Sequence, residues 1–283
     1  MKRPELVVSG STAVVTGAAG GMGEHLAKGL ARRGADLVLL DVDAVGLAGT
    51  AEDIARETPG AEVTTYEVDL SDRAAADDVV ARIRDRHPGV TLLFNNAGVA
   101  VGGRFVQVEA EDFDWLLEIN LLVPIRLTRA LLPLMLANGQ GQVVNTSSLF
   151  GLIGPPGQSA YSTSKFGLRG FSESLRSELE AEDLPVGVTS VHPGGIRTGI
   201  ARNARIAAGT DSDEAERGRA AFDKVLRYPA DRAAEEIIEA AIARRPRLLI
   251  GNDARALDAV ARLLPARYWS LMGRGMALAA KRQ

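Results

Sequence analysis

Ala13-Val14-Val15-Thr16-Gly17-Ala18-Ala19-Gly20-Gly21-Met22-Gly23 passes from an apolar, β-branched run through a glycine cluster into a helical pattern. Residues 13–16 read as a buried strand, and residues 22–33 as the helix that follows it. Glycines let a backbone turn tightly and approach a pyrophosphate, while a helix N-terminus offers unpaired N–H groups and a positive dipole end. The spacing departs from Gly-x-Gly-x-x-Gly, and the glycines placed for this role are Gly17, Gly21 and Gly23, with Met22 on the same turn. A second apolar run, 37–40, closes on Asp41. That position, about twenty residues after the glycines, is where an acidic side chain accepts the hydroxyls of an adenosine ribose. A carboxylate there repels a 2′-phosphate, which points to NAD rather than NADP. Arg32 and Arg33 are near enough in sequence to reach a phosphate, but they read as basic residues of the last helical turn, with Gly34 as the cap.

The same alternation continues along the chain. Strands are expected at 13–16, 37–40, 63–68, 92–94, 143–146, 186–191 and 248–250, and helices at 22–33, 44–57, 74–86, 111–137, 160–180 and 232–244. This pattern predicts an α/β fold: a doubly wound, mainly parallel seven-stranded sheet with helices on both faces, Rossmann-like. No repeat or low-complexity linker divides it. Residues 1–252 read as one catalytic domain holding the cofactor and substrate sites, and 253–283 as an amphipathic extension of it. The segment 199–227 is polar and charged and reads as a lid. The extension contains Arg267-Tyr268-Trp269-Ser270-Leu271-Met272. Basic and aromatic residues together can mark a membrane-surface helix, but packing on the chain itself or on a partner subunit is the favoured reading.

Bulk properties exclude several classes. The 283 residues include 33 basic and 36 acidic ones, a net charge of −3 that offers no general attraction to nucleic acid. With no cysteine, and with His25, His87 and His192 scattered, no metal site is expected. The apolar stretch 121–136 is broken by Arg126 and Arg129 and reads as too short to span a bilayer. The N-terminus has no apolar core of signal-peptide length, so a cytoplasmic location is expected.

Chemistry is suggested by Tyr161 and Lys165, four apart on a helix and therefore on one face. An ammonium beside a phenol favours the phenolate, which would lower the tyrosine pKa and suit it to passing a proton to or from an alcohol. Asn120 precedes Pro124 by four, and proline has no N–H to bond the Asn120 carbonyl. A proline-induced kink that frees this acceptor is the expectation.

These motifs, taken in order, resemble the short-chain dehydrogenases/reductases, in their compact single-domain branch. The resemblance spans residues 13–250 and rests on Thr16-Gly17-x-x-x-Gly21-x-Gly23, Asp69-Leu70, Asn95-Asn96-Ala97-Gly98, Asn120, Ser148, Tyr161-x-x-x-Lys165 and Pro193-Gly194-x-Ile196-x-Thr198. It implies Tyr161 as general acid/base, Lys165 as the residue that lowers its pKa and binds the nicotinamide ribose, and Ser148 as the group that orients the substrate oxygen. The Asn120 carbonyl would hold a water linking Lys165 to solvent. Asp69 would bond the adenine amino group, with Leu70 lining that ring. Asn96, Ala97 and Gly98 would pass close to the adenosine ribose and stabilise the sheet, while Ile196 and Thr198 would hold the carboxamide and a phosphate. Family members that use NADP commonly carry a basic residue where this chain has Gly20 or Val42, which again points to NAD.

Segments 99–104 and 149–159 should line the substrate pocket, and their apolar residues suit a small apolar secondary alcohol or its ketone. Arg202 and Arg205 in the lid leave open a 3-oxoacyl-thioester reductase, with NADPH as its cofactor. A dinucleotide-binding module without catalysis is the third reading, and the presence of Asn120, Ser148, Tyr161 and Lys165 speaks against it. The resemblance also implies a homodimer or homotetramer, formed by pairing the helices that carry Asn120 and Tyr161.

Overall fold

The computed structural model describes residues 5–270. Leu271 and Met272, named above, lie outside them. Its centre is a seven-stranded sheet in the order β3-β2-β1-β4-β6-β7-β9. These strands are β1 (Thr12–Thr16), β2 (Asp36–Asp41), β3 (Val63–Glu67), β4 (Val90–Asn95), β6 (Gly141–Thr146), β7 (Val186–Pro193) and β9 (Arg247–Ile250), and every neighbouring pair is parallel. The seven strands expected from sequence are all present.

Residues alternate along each strand, so the strands feed two separate cores. Ala13, Val15, Leu37, Leu39, Leu92 and Phe94 pack on one face with Leu26 and Leu30 of α1 (Gly21–Ala31), Leu47 and Ile54 of α2 (Ala44–Glu57), and Ile237 and Ile238 of α8 (Ala230–Ile242). Val14, Val38, Leu40 and Leu93 point to the other face. There they meet Val79 and Ile83 of α3 (Arg73–Arg86), Leu127 and Leu131 of α5 (Val123–Ala137), and Leu179 of α6 (Ser159–Ala181). Near-continuous apolar strands covered by helices on both sides are what a parallel sheet requires.

Strand order reverses between β1 and β4. In open parallel sheets, ligands bind at the carboxyl ends of the strands beside such a reversal. The ends of β1, β4, β6 and β7 carry Thr16, Asn95, Thr146 and Pro193, so the fold brings all the expected motifs to one edge.

Three elements lie outside the sequence reading. β5 (Val101–Gly102) and β8 (Arg205–Ile206) form a separate two-stranded parallel ladder that ties the 199–227 segment to the loop after β4. Helix α7 (Ser212–Val225) occupies the rest of that segment. In the extension, α9 (Asn252–Leu263) packs on the chain itself: Ala254, Leu257 and Ala261 sit with Leu149 and Ile153. Arg247 also reaches Asp258 of α9 at 2.6 Å.

The helix 111–137 needs two corrections. It is α4 (Ala110–Leu117), a π-helical turn at Glu118–Leu122, and then α5. The π turn is shown by the Val123 N–H bonding to the Glu118 carbonyl. Pro124 follows the π turn as the second residue of α5 and, having no N–H, donates no helical bond back to it. The irregularity at Asn120 therefore takes the form of a π turn directly before Pro124, in place of a kink in a regular α-helix. The continuous run Ala110–Ala137 is also long and apolar enough to cross a membrane by length and composition, unlike the 121–136 stretch considered alone. Its Leu116, Ile119, Val123, Leu127, Leu131 and Met135 are buried within the chain.

Candidate active site

The glycine turn is built by close approach. Gly17 and Gly21 adopt φ of +69° and +56°, a region costly for residues with a Cβ. A Cβ on Gly23 would lie 1.8 Å from the Gly17 carbonyl oxygen, so helix α1 can start directly on the turn only with glycine there. No side chain caps that start. Its first N–H groups are available to an anion.

Asn96 and Ala97 lock this turn to the end of β4. Both of their N–H groups donate to Thr16 Oγ1 at 3.0 Å, and Asn96 Nδ2 donates to the Thr16 carbonyl at 3.1 Å. Asp41 reaches back from the adjacent strand, its carboxylate accepting from Ala19 N at 2.9 Å and Asp43 N at 3.0 Å. Arg32 pairs with Glu57 and Arg33 with Glu235, so both turn toward carboxylates of α2 and α8. Asp69 is exposed and accepts from Ser71, and Leu70 is buried in the core beside α3. Thr198 closes over the turn, with its side chain 3.4 Å from where a Cβ of Gly21 would stand. Ile196 is buried in the core that α1 and α8 share.

On the other side of the crevice, Tyr161 and Lys165 project from the first two turns of α6. Lys165 Nζ lies 5.6 Å from the Tyr161 ring centroid and donates to the Thr146 carbonyl at 3.0 Å. Only 3% of Lys165 is exposed, and desolvation lowers its pKa to about 8. Tyr161 departs from the expectation: burial raises its pKa, and the hydrogen bond from Ser148 pulls the other way without prevailing. Without a bound cofactor, then, the phenol is held protonated. The Lys165 ammonium is instead engaged by the Thr146 carbonyl.

Ser148 caps a short 3-10 turn, Leu149–Gly151, in extended conformation, and its Oγ accepts from Phe150 N at 3.1 Å. Ser147 turns away and donates to the Lys165 carbonyl at 2.8 Å, the strand-end role expected of it. The Asn120 side chain braces the loop after β4. Its Oδ1 accepts from Val99 N at 2.8 Å, and its Nδ2 donates to the Val99 carbonyl at 2.9 Å and to Ser164 Oγ at 3.3 Å. Ser164 in turn donates to the Tyr161 carbonyl at 2.7 Å. A Cβ on Gly98 would lie 3.3 Å from Asn120 Oδ1 and 3.4 Å from Lys165 Nζ, which places Asn120, Gly98 and Lys165 together.

Two apolar clusters flank Tyr161. Val99, Val101, Val108, Phe113, Trp115 and Leu116 form one, and Leu149, Phe150, Ile153, Leu257 and Tyr268 the other. Phe150 meets the Tyr161 ring edge to face at 6.1 Å. Arg205 is not free to receive an acid, because its guanidinium stacks 3.5 Å from Trp115 and pairs with Asp112 at 2.8 Å.

This geometry agrees with the comparisons to known proteins. Residues 11–208 match the family model for short chain dehydrogenases. The chain is 39% identical to SadH of Mycobacterium tuberculosis over 273 residues, covering 95% of this chain and 96% of that one. It belongs to the short-chain dehydrogenase family.

Oxidoreductase UcpA of Salmonella typhimurium is 34% identical over 212 residues, 74% of this dehydrogenase and 77% of UcpA. Among solved structures, a Burkholderia phymatum short-chain dehydrogenase/reductase in complex with NAD aligns with a TM-score of 0.84 at 28% identity, covering 92% of this chain and 95% of that one. A Sphingobium yanoikuyae short-chain dehydrogenase in complex with NADPH aligns with a TM-score of 0.74, also at 28% identity, covering 95% of each chain.

Three residues of this dehydrogenase have roles that escaped the sequence reading. Thr16 knots the glycine turn to Asn96 and Ala97. Asp253 accepts from Gly195 N at 2.8 Å and so holds the segment leading to Ile196 and Thr198. His192 is buried against Ser148. The sequence signal for His192 was its place next to Pro193-Gly194; a lone histidine on a strand otherwise reads as a core residue.

Proposed function

We propose that this dehydrogenase interconverts an apolar secondary alcohol and its ketone with NAD(H), using Tyr161 as general acid/base. The observation that carries the reading is Tyr161 set between two apolar clusters, with Ser148 hydrogen-bonded to it and Lys165 one helical turn away. The residues present fit a nicotinamide dinucleotide. Gly17 and Gly23 allow the tight turn on which α1 starts, the N–H groups of α1 suit a pyrophosphate, and Asp41 suits a ribose without a 2′-phosphate. Met22, Asp69, Leu70, Asn96, Ala97, Gly98, Ile196 and Thr198 complete that set. When bound, the cofactor supplies the hydride acceptor or donor.

The protein handles the proton. For oxidation, Tyr161 as phenolate takes the alcohol proton while the carbon gives up a hydride and the carbonyl forms. For reduction, the neutral phenol gives its proton to the developing alkoxide. Burial favours the phenol, so oxidation, which needs the phenolate, gains as pH rises. Ser148 orients the substrate oxygen, and Asn120 fixes Val99 at the pocket wall. Of the two lid arginines behind the thioester-reductase alternative, Arg205 is engaged by Asp112 and Trp115, while Arg202 is exposed.

Leu122 and Phe166 are exposed on the π turn and α6, consistent with helix pairing in a cytoplasmic homodimer or homotetramer. Nicotinamide fluorescence titration tests the cofactor assignment: NADH is expected to bind more tightly than NADPH, and the reverse order would overturn it. A panel of hydrophobic secondary alcohols scored by NADH absorbance tests the substrate class. Turnover of charged or sugar alcohols alone would contradict it.

A further inference from the structure

His192 has no part in the chemistry above, yet it is fully buried behind the serine that does. It lies near the end of β7, and its Nδ1 is 3.1 Å from the Ser148 carbonyl oxygen. Two residues earlier on the same face of the strand, the Ser190 hydroxyl is 3.1 Å from its Nε2.

These partners fix the proton's position. A carbonyl oxygen only accepts, so the Nδ1 contact is a hydrogen bond only when Nδ1 carries the proton. The ring is neutral at pH 7, because desolvation, with Arg247 and Arg169 acting in the same sense, lowers its pKa to about 4 against the pull of the Ser148 carbonyl and Glu173. Nε2 is then bare and accepts from Ser190. One tautomer satisfies all three groups, and in it the donor points at the backbone of Ser148.

Within its own turn the Ser148 carbonyl also accepts from Gly151 N at 3.0 Å, and its Oγ from Phe150 N at 3.1 Å, so the His192 bond is the side-chain anchor that ties this turn to β7. Ser147 N bonds to the Val191 carbonyl, and Ser148 itself is extended, at φ −163° and ψ 168°. The two bonds to this carbonyl, from Gly151 N within the turn and from His192 on the sheet, together set the rotation of the peptide that follows Ser148, and with it the direction from which Oγ meets Tyr161.

We propose that His192 is a positioning residue, its Nδ1–H holding the Ser148 backbone so that the serine hydroxyl faces Tyr161. This rests on the assignment of Ser148 and Tyr161 to proton transfer. His192→Asn and His192→Gln separate positioning from mere filling of space. The asparagine Nδ2 stands as far along the side chain as the imidazole Nδ1, and the glutamine Nε2 as far as the imidazole Nε2.

The experiment measures kcat and KM for His192→Asn, His192→Gln and Ser148→Ala on one alcohol of the panel, together with the 15N spectrum of the histidine rings in the native protein. The expected results are a neutral Nδ1–H signal that disappears in both His192 variants, kcat for His192→Asn near the native value, and a loss of about 10- to 100-fold in kcat for His192→Gln at similar KM. An Nε2–H tautomer or a charged ring at pH 7 overturns the proposal whatever the substrate. So does an equal loss in the two His192 variants, or a native kcat in His192→Gln while Ser148→Ala falls. A native kcat in Ser148→Ala refutes the assignment of Ser148 itself, and this proposal with it.

Discussion

The two sides of the crevice are built by different means. At the cofactor side, backbone touches backbone: the Gly17–Gly23 turn, the Asn96-Ala97 segment and the start of α1 interlock through main-chain atoms and the Thr16 hydroxyl. At the substrate side the walls are side chains from distant segments. Val99 and Trp115 stand on one wall, and Phe150, Leu257 and Tyr268 on the other. The first kind of site tolerates few residue types and so fixes a ligand class. The second is set by packing and can be reshaped without touching the reaction.

That contrast can be broken most sharply at Gly23. Gly23→Ala places a methyl into the Gly17 carbonyl, so NADH affinity in a fluorescence titration should fall about 100-fold or more, equivalent to roughly 3 kcal/mol of overpacking. Native affinity in that variant would mean that the turn is not the tight element described.

A second test concerns the buried base behind the substrate side. His192 has its pKa lowered from 6.5 to about 4 in the folded chain. Between those values the unfolded chain binds the proton and the folded one does not, so stability is lost as pH falls from 6.5 toward 4. The full effect is about 3 kcal/mol. Urea midpoints measured between neutral and mildly acidic pH should show the decline, and His192→Asn should flatten it.

The smallest effect belongs to the substrate wall. Phe150→Ala should raise KM for bulky alcohols several-fold, about 1–2 kcal/mol of lost apolar contact, with NADH affinity unchanged. An equal change in NADH binding would erase the distinction between the two sides.

The same distinction governs what could be read from the sequence. The strands were legible because most are apolar, β3 (Val63–Glu67) being β-branched and aromatic instead, and each is bounded by glycine, proline or polar residues. The glycine turn and the Tyr161–Lys165 pair were legible because their spacing is local. β5 and β8 escaped because two residues carry no periodicity, and they become strands only by pairing with each other. The irregularity at Asn120 was legible from Pro124, but its π form was not, because helix type depends on how the flanking segments pack. The sign of the Tyr161 shift was misjudged for a related reason. Spacing showed an ammonium nearby but not how deeply the phenol is buried, and burial dominates. The fold and the gathering of these motifs at one edge of the sheet were thus local properties, whereas their electrostatics and the partners of His192 and Asp253 arise only in the folded chain.

The central claim is that Tyr161 moves the proton while the opposite side of the crevice merely holds the cofactor. Tyr161→Phe removes one oxygen atom, and its most direct measurement is single-turnover hydride transfer from NADH alongside NADH binding. The account predicts a rate lowered by about 10²- to 10⁴-fold with NADH affinity unchanged. Hydride transfer at the native rate in that variant would contradict it.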